Sequence, residues 1–263
     1  MQGHFVQALR AARRATKALL PDFINNAWYR LHSERVRRRL VGLSVKEKFT
    51  AVYKDHLWGR SDDPSDGFFS GTGSRDPKIV DVYVSAVAQF LSRLARKPNV
   101  VDLGCGDFFV GSRVRHLCDA YVACDVVESL IARNRSRFSM SGTEFRVVDI
   151  TEDSLPPGDI VFIRQVLQHL ANADIQKVIT KVRQSYEFLV LTEHVPCAAF
   201  TPNVDHISGP DTRPNSGVVL TAPPFNLPVI QTTLLCEIPE YGSVIRTLVY
   251  QLKPSSGLLQ AGA

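Results

Sequence analysis

The sequence predicts an α/β fold with a mostly parallel, doubly wound sheet that ends in an antiparallel strand and follows an N-terminal helical extension. Three observations support this. Residues 100–108 read as a buried strand, a Gly-x-Gly turn and the start of a helix, the unit that forms nucleoside crevices in doubly wound proteins. Apolar runs at residues 121–125, 145–149, 159–163 and 186–193 supply further strands. Residues 231–238 and 243–252 are β-rich, and the short Gly-containing joint between them predicts an antiparallel hairpin.

The glycine turn is the most informative element. Gly104 and Gly106 carry no Cβ, so the backbone can turn sharply and lie against a ligand. A dinucleotide site would need a third glycine where Phe109 stands. The stretch Asp102-x-Gly104-x-Gly106 instead resembles the first motif of class I S-adenosylmethionine-dependent methyltransferases. A generic nucleotide site and an ordinary glycine turn are the alternatives for this motif taken alone.

Acidic residues end the next strands. Asp125 closes the second strand, where an acid can accept both ribose hydroxyls of an adenosine. Asp149 closes the third, and the resemblance implies that it or Ile150 meets the adenine amino group. Each acid could also be a helix N-cap, but capping alone does not explain their recurrence after a glycine turn.

The C-terminal hairpin separates two families. Class I methyltransferases finish their sheet with an antiparallel seventh strand, whereas Rossmann dehydrogenases do not. The resemblance spans residues 80–252 and implies a seven-stranded, Rossmann-like methyltransferase fold that uses S-adenosyl-L-methionine and releases S-adenosyl-L-homocysteine. We expect a helical and cofactor-covering region at residues 1–78, the methyltransferase domain at 79–253 and a disordered tail at 254–263.

The N-terminal region is strongly basic. Residues 1–48 contain eleven Lys and Arg and three acids, whereas the whole chain has a formal net charge of +5. Residues 5–20 have apolar positions at helical spacing with arginines between them, which indicates a basic amphipathic helix. Such a helix can pack on the domain or on a second subunit of a homodimer, lie on an anionic membrane surface, or bind nucleic acid. No apolar stretch reaches the ~18 residues of a membrane span, so we expect a cytoplasmic protein, with peripheral contact at the inner membrane face as an option.

Two segments before the first strand resemble the cofactor-covering part of bacterial methyltransferases of polysaccharide and surface-glycan biosynthesis. They are residues 49–59, which look helical, and the small-residue loop 70–74. The resemblance places Gly73 and Ser74 near the methionine end of the cofactor, and we also assign Arg164, at the end of the fourth strand, to cofactor binding. The alternative is a flexible linker broken by Pro64 and Gly67.

Methylation of a hydroxyl needs a base that takes its proton. His169, six residues beyond the fourth strand, is one candidate, and Gln165 and Gln168 beside it could bind acceptor hydroxyls. His194 at the end of the fifth strand is the other, with Glu193 as a group that could orient it. The alternative for each histidine is a hydrogen-bonded structural role.

The connection at residues 196–228 is long enough to be a lid or a binding surface. Its polar side chains, among them Asp205, His206 and Arg213, suit a hydroxyl-rich acceptor. Together with Glu193 and His194 the first two could also hold a divalent metal, but their spacing matches no metal motif and we assign no metal site.

One motif argues against a nucleic-acid substrate. Residues 222–225 read Ala-Pro-Pro-Phe and resemble the Asn-Pro-Pro-Tyr element of nucleic-acid amino-methyltransferases. That element must follow the fourth strand to grip a flipped base, whereas here Arg164 and Gln165 stand there. We therefore predict an O-methyltransferase of a sugar hydroxyl on a saccharide or glycan precursor. The alternatives are an N- or O-methyltransferase of another small metabolite and a non-catalytic cofactor-binding module.

Overall fold

The computed structural model describes residue 36 and residues 38–61, 67–240 and 242–259. The chain divides into two compact units, residues 1–43 and residues 44–263, and every element named below belongs to the second. The basic amphipathic helix predicted near the N-terminus lies outside the described residues. No helix in the described part of the chain is long and apolar enough to cross a membrane.

The sheet has seven strands in the order β3-β2-β1-β4-β5-β7-β6. Strands β1 to β5 pair in parallel, whereas β7 runs antiparallel to both β5 and β6, so the predicted sheet is confirmed. The bounds are β1 Val100–Leu103, β2 Tyr121–Asp125, β3 Glu144–Val147, β4 Ile160–Arg164, β5 Phe188–Pro196, β6 Gln231–Glu240 and β7 Ser243–Gln251.

Within described residues 44–259, five α-helices accompany the sheet, and their ends follow from local sequence. Ser44 and Glu47 form a capping box at the start of the first helix, and Asp76 caps the second, which begins with Pro77. The bounds are α1 Val45–Lys54, α2 Pro77–Ser92, α3 Phe109–Val114, α4 Glu128–Arg137 and α5 Asn172–Ser185.

The strands supply two hydrophobic clusters because their side chains alternate between the faces of the sheet. Val101 and Leu103 pack in the cluster that contains the buried face of α5, while Val100 packs in the one that contains α2. This three-layer arrangement brings the carboxyl ends of the parallel strands to one edge, where ligands bind in open α/β sheets.

The structure differs from the prediction at the C-terminal tail. Residues 254–259 are held in place, whereas we predicted disorder from residue 254. Leu258 is fully buried, its carbonyl accepts the N–H of Ala95 at 2.9 Å, and Leu259 forms an isolated bridge with Leu94. The apolar leucine side chain anchors this part of the tail, and residues 260–263 lie outside the described residues.

The long connection after β5 is a folded element with its own core. Leu220, Phe225 and Leu227 are buried. The Asn203 amide nitrogen donates to the carbonyls of Val219 and Pro223, both at 2.9 Å. The connection therefore presents a defined surface toward the ends of β4 and β5.

Candidate active site

A cavity of about 350 Å³ opens at the carboxyl ends of the parallel strands. We call it the main cavity. The glycine turn after β1, the ends of β2 and β4, the first turns after β4, α1 and residues 70–74 line it. It brings together most of the predicted site residues: Ser74, Asp102, Gly104, Gly106, Asp125, Asp149, Ile150, Arg164, Gln165, Gln168, His169 and His194. Glu193, Asp205, His206 and Arg213 do not line it.

The backbone of the glycine turn borders the cavity directly because Gly104 and Gly106 have no side chains. Gly104 has a φ of +82°, and a Cβ built on it would lie 2.4 Å from Cγ2 of Val166. Gly106, with a φ of +55°, donates its N–H to Oδ2 of Asp125 at 3.1 Å. The turn thereby leaves a groove with the Asp125 carboxylate at its far side.

Three acidic residues of the main cavity, Asp102, Asp125 and Asp149, have different hydrogen-bond partners. Asp125 is buried, accepts the N–H of Val127 at 3.0 Å, and burial raises its pKa to about 6. Asp102 accepts a hydrogen bond from the Tyr121 hydroxyl at 2.9 Å, and burial raises its pKa to about 7. Asp149 accepts the N–H and hydroxyl of Thr151, so it caps a turn and lines the cavity at once.

Arg164 brings a buried cation to the cavity wall. Its guanidinium lies 5.0 Å from the ring centroid of Tyr83, and burial lowers its pKa. Nη2 donates to the carbonyl of Gly73 at 2.6 Å, and Nη1 donates to the hydroxyl of Ser74 at 3.2 Å. Nε is buried and has no hydrogen-bond partner among the described residues. A cation with an unused N–H suits a carboxylate ligand, such as that of a methionine group.

Residues 67–75, which we call the cover segment, are tied to the glycine turn. The Asp107 N–H donates to the Ser70 hydroxyl at 2.8 Å, and that hydroxyl lies 3.0 Å from the Tyr53 hydroxyl on α1. The Asp107 carboxylate in turn accepts two hydrogen bonds from Arg75. Sequence reasoning missed Tyr53, Asp107 and Arg75, although the position of Asp107 directly after Gly106 was a usable signal.

His169 lies in an aromatic environment. Its ring centroid is 5.2 Å from that of Trp58 and 6.4 Å from that of Phe49. Nδ1 lies 3.2 Å from the carbonyl oxygen of Asp211, and Nε2 lies 3.3 Å from Nε2 of Gln168. Burial lowers the pKa of His169 to about 4, so the ring is neutral at pH 7. Both ring nitrogens already have protein partners.

Glu193 and His194 point to opposite faces of β5, as adjacent strand residues do. The Glu193 carboxylate accepts the N–H groups of Leu167 at 3.0 Å and Gln168 at 2.9 Å. It therefore supports the short 3₁₀ helix Leu167–His169. Burial raises the pKa of Glu193 to about 8.

The partner of His194 is Glu240 at the end of β6. His194 Nε2 is paired with Oε2 of Glu240, and Nδ1 lies 3.4 Å from Nε2 of Gln165. His194 is 25% exposed at its side chain and lines the main cavity, so its ring remains reachable. The prediction that Glu193 orients this ring does not match the contacts, since Glu240 occupies that place.

The predicted acceptor residues of the long connection lie outside the main cavity, and among them Arg213 lines a second cavity. Asp205 accepts the N–H of Asn172 at 2.8 Å, at the start of α5. Arg213 is buried and donates to the carbonyls of Leu170 and Val204. His206 is half-buried, and burial lowers its pKa.

A second cavity of about 430 Å³ adjoins the main cavity. Gln168, His194 and Thr212 line both cavities. The remaining lining includes Arg213, Asn215, Ser216, Glu240 and Ser243. Within the described ranges, no group of three or more His, Cys, Asp and Glu side chains is placed to hold a metal ion.

Comparisons with known proteins agree with this geometry. A family model described as a methyltransferase domain matches residues 100–187. The fold is similar to N-methyltransferase NodS from Bradyrhizobium japonicum WM9 in complex with S-adenosyl-L-homocysteine, at a TM-score of 0.55 and 14% identity over 78% of this chain and 98% of that one. It is also similar to the N-terminal domain of EvdMO1 in the presence of S-adenosyl-L-homocysteine and D-fucose, at a TM-score of 0.50 and 13% identity over 80% and 97% of the two chains. No curated protein sequence matches the chain.

Proposed function

We propose that the chain is a class I S-adenosylmethionine-dependent methyltransferase that methylates a hydroxyl of a saccharide or glycan precursor. The match of residues 100–187 to a methyltransferase domain and the fold shared with NodS support this proposal. The observation that carries the proposal is the position of His194, which lines the main cavity and has its Nδ1 beside the Gln165 amide and its Nε2 held by Glu240. An imidazole with one nitrogen anchored and the other directed at a ligand cavity is suited to take a proton from an alcohol.

The residues of the main cavity fit the cofactor along its length. The Asp125 carboxylate lies beyond the glycine turn, where it would accept the ribose hydroxyls. Asp149 and Ile150 would meet the adenine. Arg164, whose buried guanidinium belongs to the cavity wall, would bind the carboxylate of the methionine end.

When bound, S-adenosylmethionine would supply an activated methyl group for the acceptor oxygen, and its sulfur would keep the electron pair of the bond to that methyl group. His194 Nδ1 takes the proton that the hydroxyl loses, so the ring becomes an imidazolium. The Glu240 carboxylate stabilises that charge through Nε2–H. The proton is then released to solvent through the exposed part of the ring.

His194 suits this role better than His169. The two nitrogens of His169 face the Asp211 carbonyl and the Gln168 amide, and the ring is packed against Trp58. A base needs a lone pair within reach of the substrate. Each imidazole has an amide NH₂ beside one nitrogen, but burial lowers the pKa of His169 to about 4 and makes it the weaker base. His194 also has the Glu240 carboxylate beside its other nitrogen, where it would stabilise the imidazolium.

The second cavity offers room for the rest of the acceptor. Its wall carries hydroxyl and amide side chains of Thr212, Asn215 and Ser243, which are suited to hydroxyl groups. The N-terminal domain of EvdMO1, which shares the fold, was crystallised in the presence of D-fucose, and this supports a sugar acceptor here.

An amine acceptor is the second candidate. Glu240 lines the second cavity and would attract a cationic amine, and the similar fold of NodS is that of a protein described as an N-methyltransferase. A neutral amine needs positioning more than a base, so such a reaction would depend less on His194.

The test is a methyl-transfer assay with radiolabelled S-adenosylmethionine over a panel of mono- and disaccharides and amines. We expect transfer to saccharides, and His194→Ala should lower turnover by about 10²- to 10⁴-fold while leaving affinity for S-adenosylhomocysteine unchanged. Transfer to amines alone would replace this proposal by the second candidate. Absence of S-adenosylhomocysteine binding in calorimetry would overturn both.

A further inference from the structure

We infer that Glu240 is a positioning residue that holds His194 in one tautomer, with the proton on Nε2 and an unprotonated Nδ1 toward the main cavity. The inference rests on the proposed function because it takes His194 as the base. Glu240 contacts neither reacting atom in this scheme and acts through the imidazole alone.

The hydrogen bond between His194 and Glu240 is the first contact that specifies the tautomer. His194 Nε2 and Glu240 Oε2 are hydrogen-bonded, and the two side chains are only 25% and 16% exposed. An ionised carboxylate accepts hydrogen bonds and donates none. The hydrogen atom of the pair therefore belongs to Nε2 of the imidazole.

The second contact reaches the ring from the opposite side. Arg164 Nη1 donates to Oε1 of Gln165 at 3.0 Å, which fixes which end of the Gln165 amide is the oxygen. The amide nitrogen then faces Nδ1 of His194 at 3.4 Å. Since an amide NH₂ only donates, Nδ1 presents a lone pair, and this contact specifies the same tautomer as Glu240 does.

The backbone holds both partners in place. Ser243 pairs with Glu240 and with Pro196, while Ile245 pairs with His194, so the register of β5, β7 and β6 brings Glu240 and His194 together. Gln165 has a φ of +55°, and its N–H donates to the carbonyl of Thr192 at 2.6 Å. Neither contact depends on a long flexible loop.

The charged and titratable groups around His194 come from three elements besides its own strand. Glu240 approaches from β6, and Arg213 lines the second cavity from the connection after β5. His169 approaches from the turns after β4 and is neutral at pH 7. Among these three described groups Glu240 alone is a carboxylate, so its removal takes away the acceptor that specifies the tautomer of His194.

The experiment observes the ring directly and needs no acceptor. Correlated ¹H–¹⁵N NMR spectra of the His194 side chain would be recorded with S-adenosylhomocysteine added, from pH 5 to 9. The samples are the wild type, Glu240→Gln and, as a matched control on the same strand, Glu237→Gln. Glu237 pairs instead with Arg246 at 2.5 Å. Affinity for S-adenosylhomocysteine and the thermal midpoint check that each variant is folded.

We expect a wild-type ring protonated on Nε2 and unprotonated on Nδ1 at the alkaline end of this range. In Glu240→Gln the carboxylate acceptor is replaced by an amide that can donate as well as accept, so Nε2 is no longer required to carry the proton. Both tautomers should then be visible, whereas Glu237→Gln should match the wild type. Once an acceptor that the protein methylates is known, kinetics can be measured on the variants. Glu240→Gln should then lower kcat without changing KM for S-adenosylmethionine, and Glu240→Asp should restore part of kcat.

The outcomes separate this inference from the proposed function. Identical His194 ring signals in the wild type and Glu240→Gln would overturn the inference whatever the acceptor is. A changed ring in a protein that methylates no saccharide would leave Glu240 as the positioning partner of His194 and would overturn the saccharide proposal alone.

Discussion

Arg75 donates two hydrogen bonds to the carboxylate of Asp107, from Nε at 3.0 Å and from Nη2 at 2.8 Å. The two residues belong to different parts of the site, since Arg75 ends the cover segment and Asp107 follows the glycine turn. Asp107 is 2% exposed at its side chain and Arg75 is 22% exposed. This pair therefore fastens the cover segment beside the cofactor groove.

Replacing Arg75 by alanine should loosen the cover segment. The change leaves the Asp107 carboxylate buried without its charged partner, so we expect a loss of about 2 kcal/mol in the free energy of unfolding, the size of a hydrogen bond to a charged group. Affinity for S-adenosylhomocysteine should fall as well, because the segment helps to enclose the groove. Denaturant unfolding and calorimetry measure the two quantities.

The control is Arg113→Ala. Arg113 pairs with Asp81 at 2.6 Å, but the two side chains are 38% and 60% exposed. An exposed pair contributes less than about 1 kcal/mol, and this one lies away from the groove lining. Equal effects of the two substitutions on ligand affinity would contradict the role given to Arg75.

Gly73→Ala should disturb the proposed base without touching it. A Cβ on Gly73 would lie 2.7 Å from Oε1 of Gln165 and 3.0 Å from its Nε2, so the amide must move. We expect a marked loss of turnover with a small change in the thermal midpoint, because the displaced atoms end a flexible side chain. Gly67→Ala is the matched control, since a Cβ there meets nothing within 4 Å.

Asp125→Asn should weaken cofactor binding by about tenfold or more, as hydrogen bonds to a charged acceptor are stronger than those to a neutral one. Ribose hydroxyls favour the ionised carboxylate. Because burial raises the pKa of Asp125 to about 6, wild-type affinity should increase as pH rises through that value. Calorimetric titrations with S-adenosylhomocysteine from pH 5 to 8 test this. A wild type and an asparagine variant with parallel pH profiles would disprove the ribose role.

Protonation of His169 should lower the free energy of unfolding at acidic pH. Its pKa is lowered from 6.5 to about 4, so the unfolded chain binds more protons at this residue between those pH values. Its stabilising contribution is therefore full above pH 6.5 and is lost as pH falls toward 4. The stability difference between the wild type and His169→Asn should narrow over this range by as much as about 3 kcal/mol. A difference that stays constant in pH-dependent unfolding would contradict a neutral, buried His169.

The local sequence pattern was sufficient to predict the elements that line the cofactor groove. Strand β1 is buried at all four positions, so its continuous apolar run identified it. Gly104 and Gly106 identified the turn because the conformation there excludes side chains. Asp125 followed from its place at the end of an apolar strand.

The proton-handling groups depend on long-range contacts, which sequence spacing does not reveal. Glu240 meets His194 because β6 and β5 both pair with β7, and 46 residues separate the two in the chain. His169 has its nitrogens occupied because Asp211, 42 residues later, brings a carbonyl to it. Glu193 stands beside His194 in sequence but points to the other face.

Arg164 contacts both the cover segment, which would enclose the methyl donor, and the Gln165 amide beside the proposed base. Its guanidinium rests on the Gly73 carbonyl and the Ser74 hydroxyl, and it also orients the Gln165 amide that faces His194. A substitution that displaces Gly73 or Ser74 would remove these two acceptors from Arg164 and would leave the Gln165 amide with a less firmly held donor. A change confined to the cover segment is thus transmitted, through one guanidinium, to the amide that faces the imidazole.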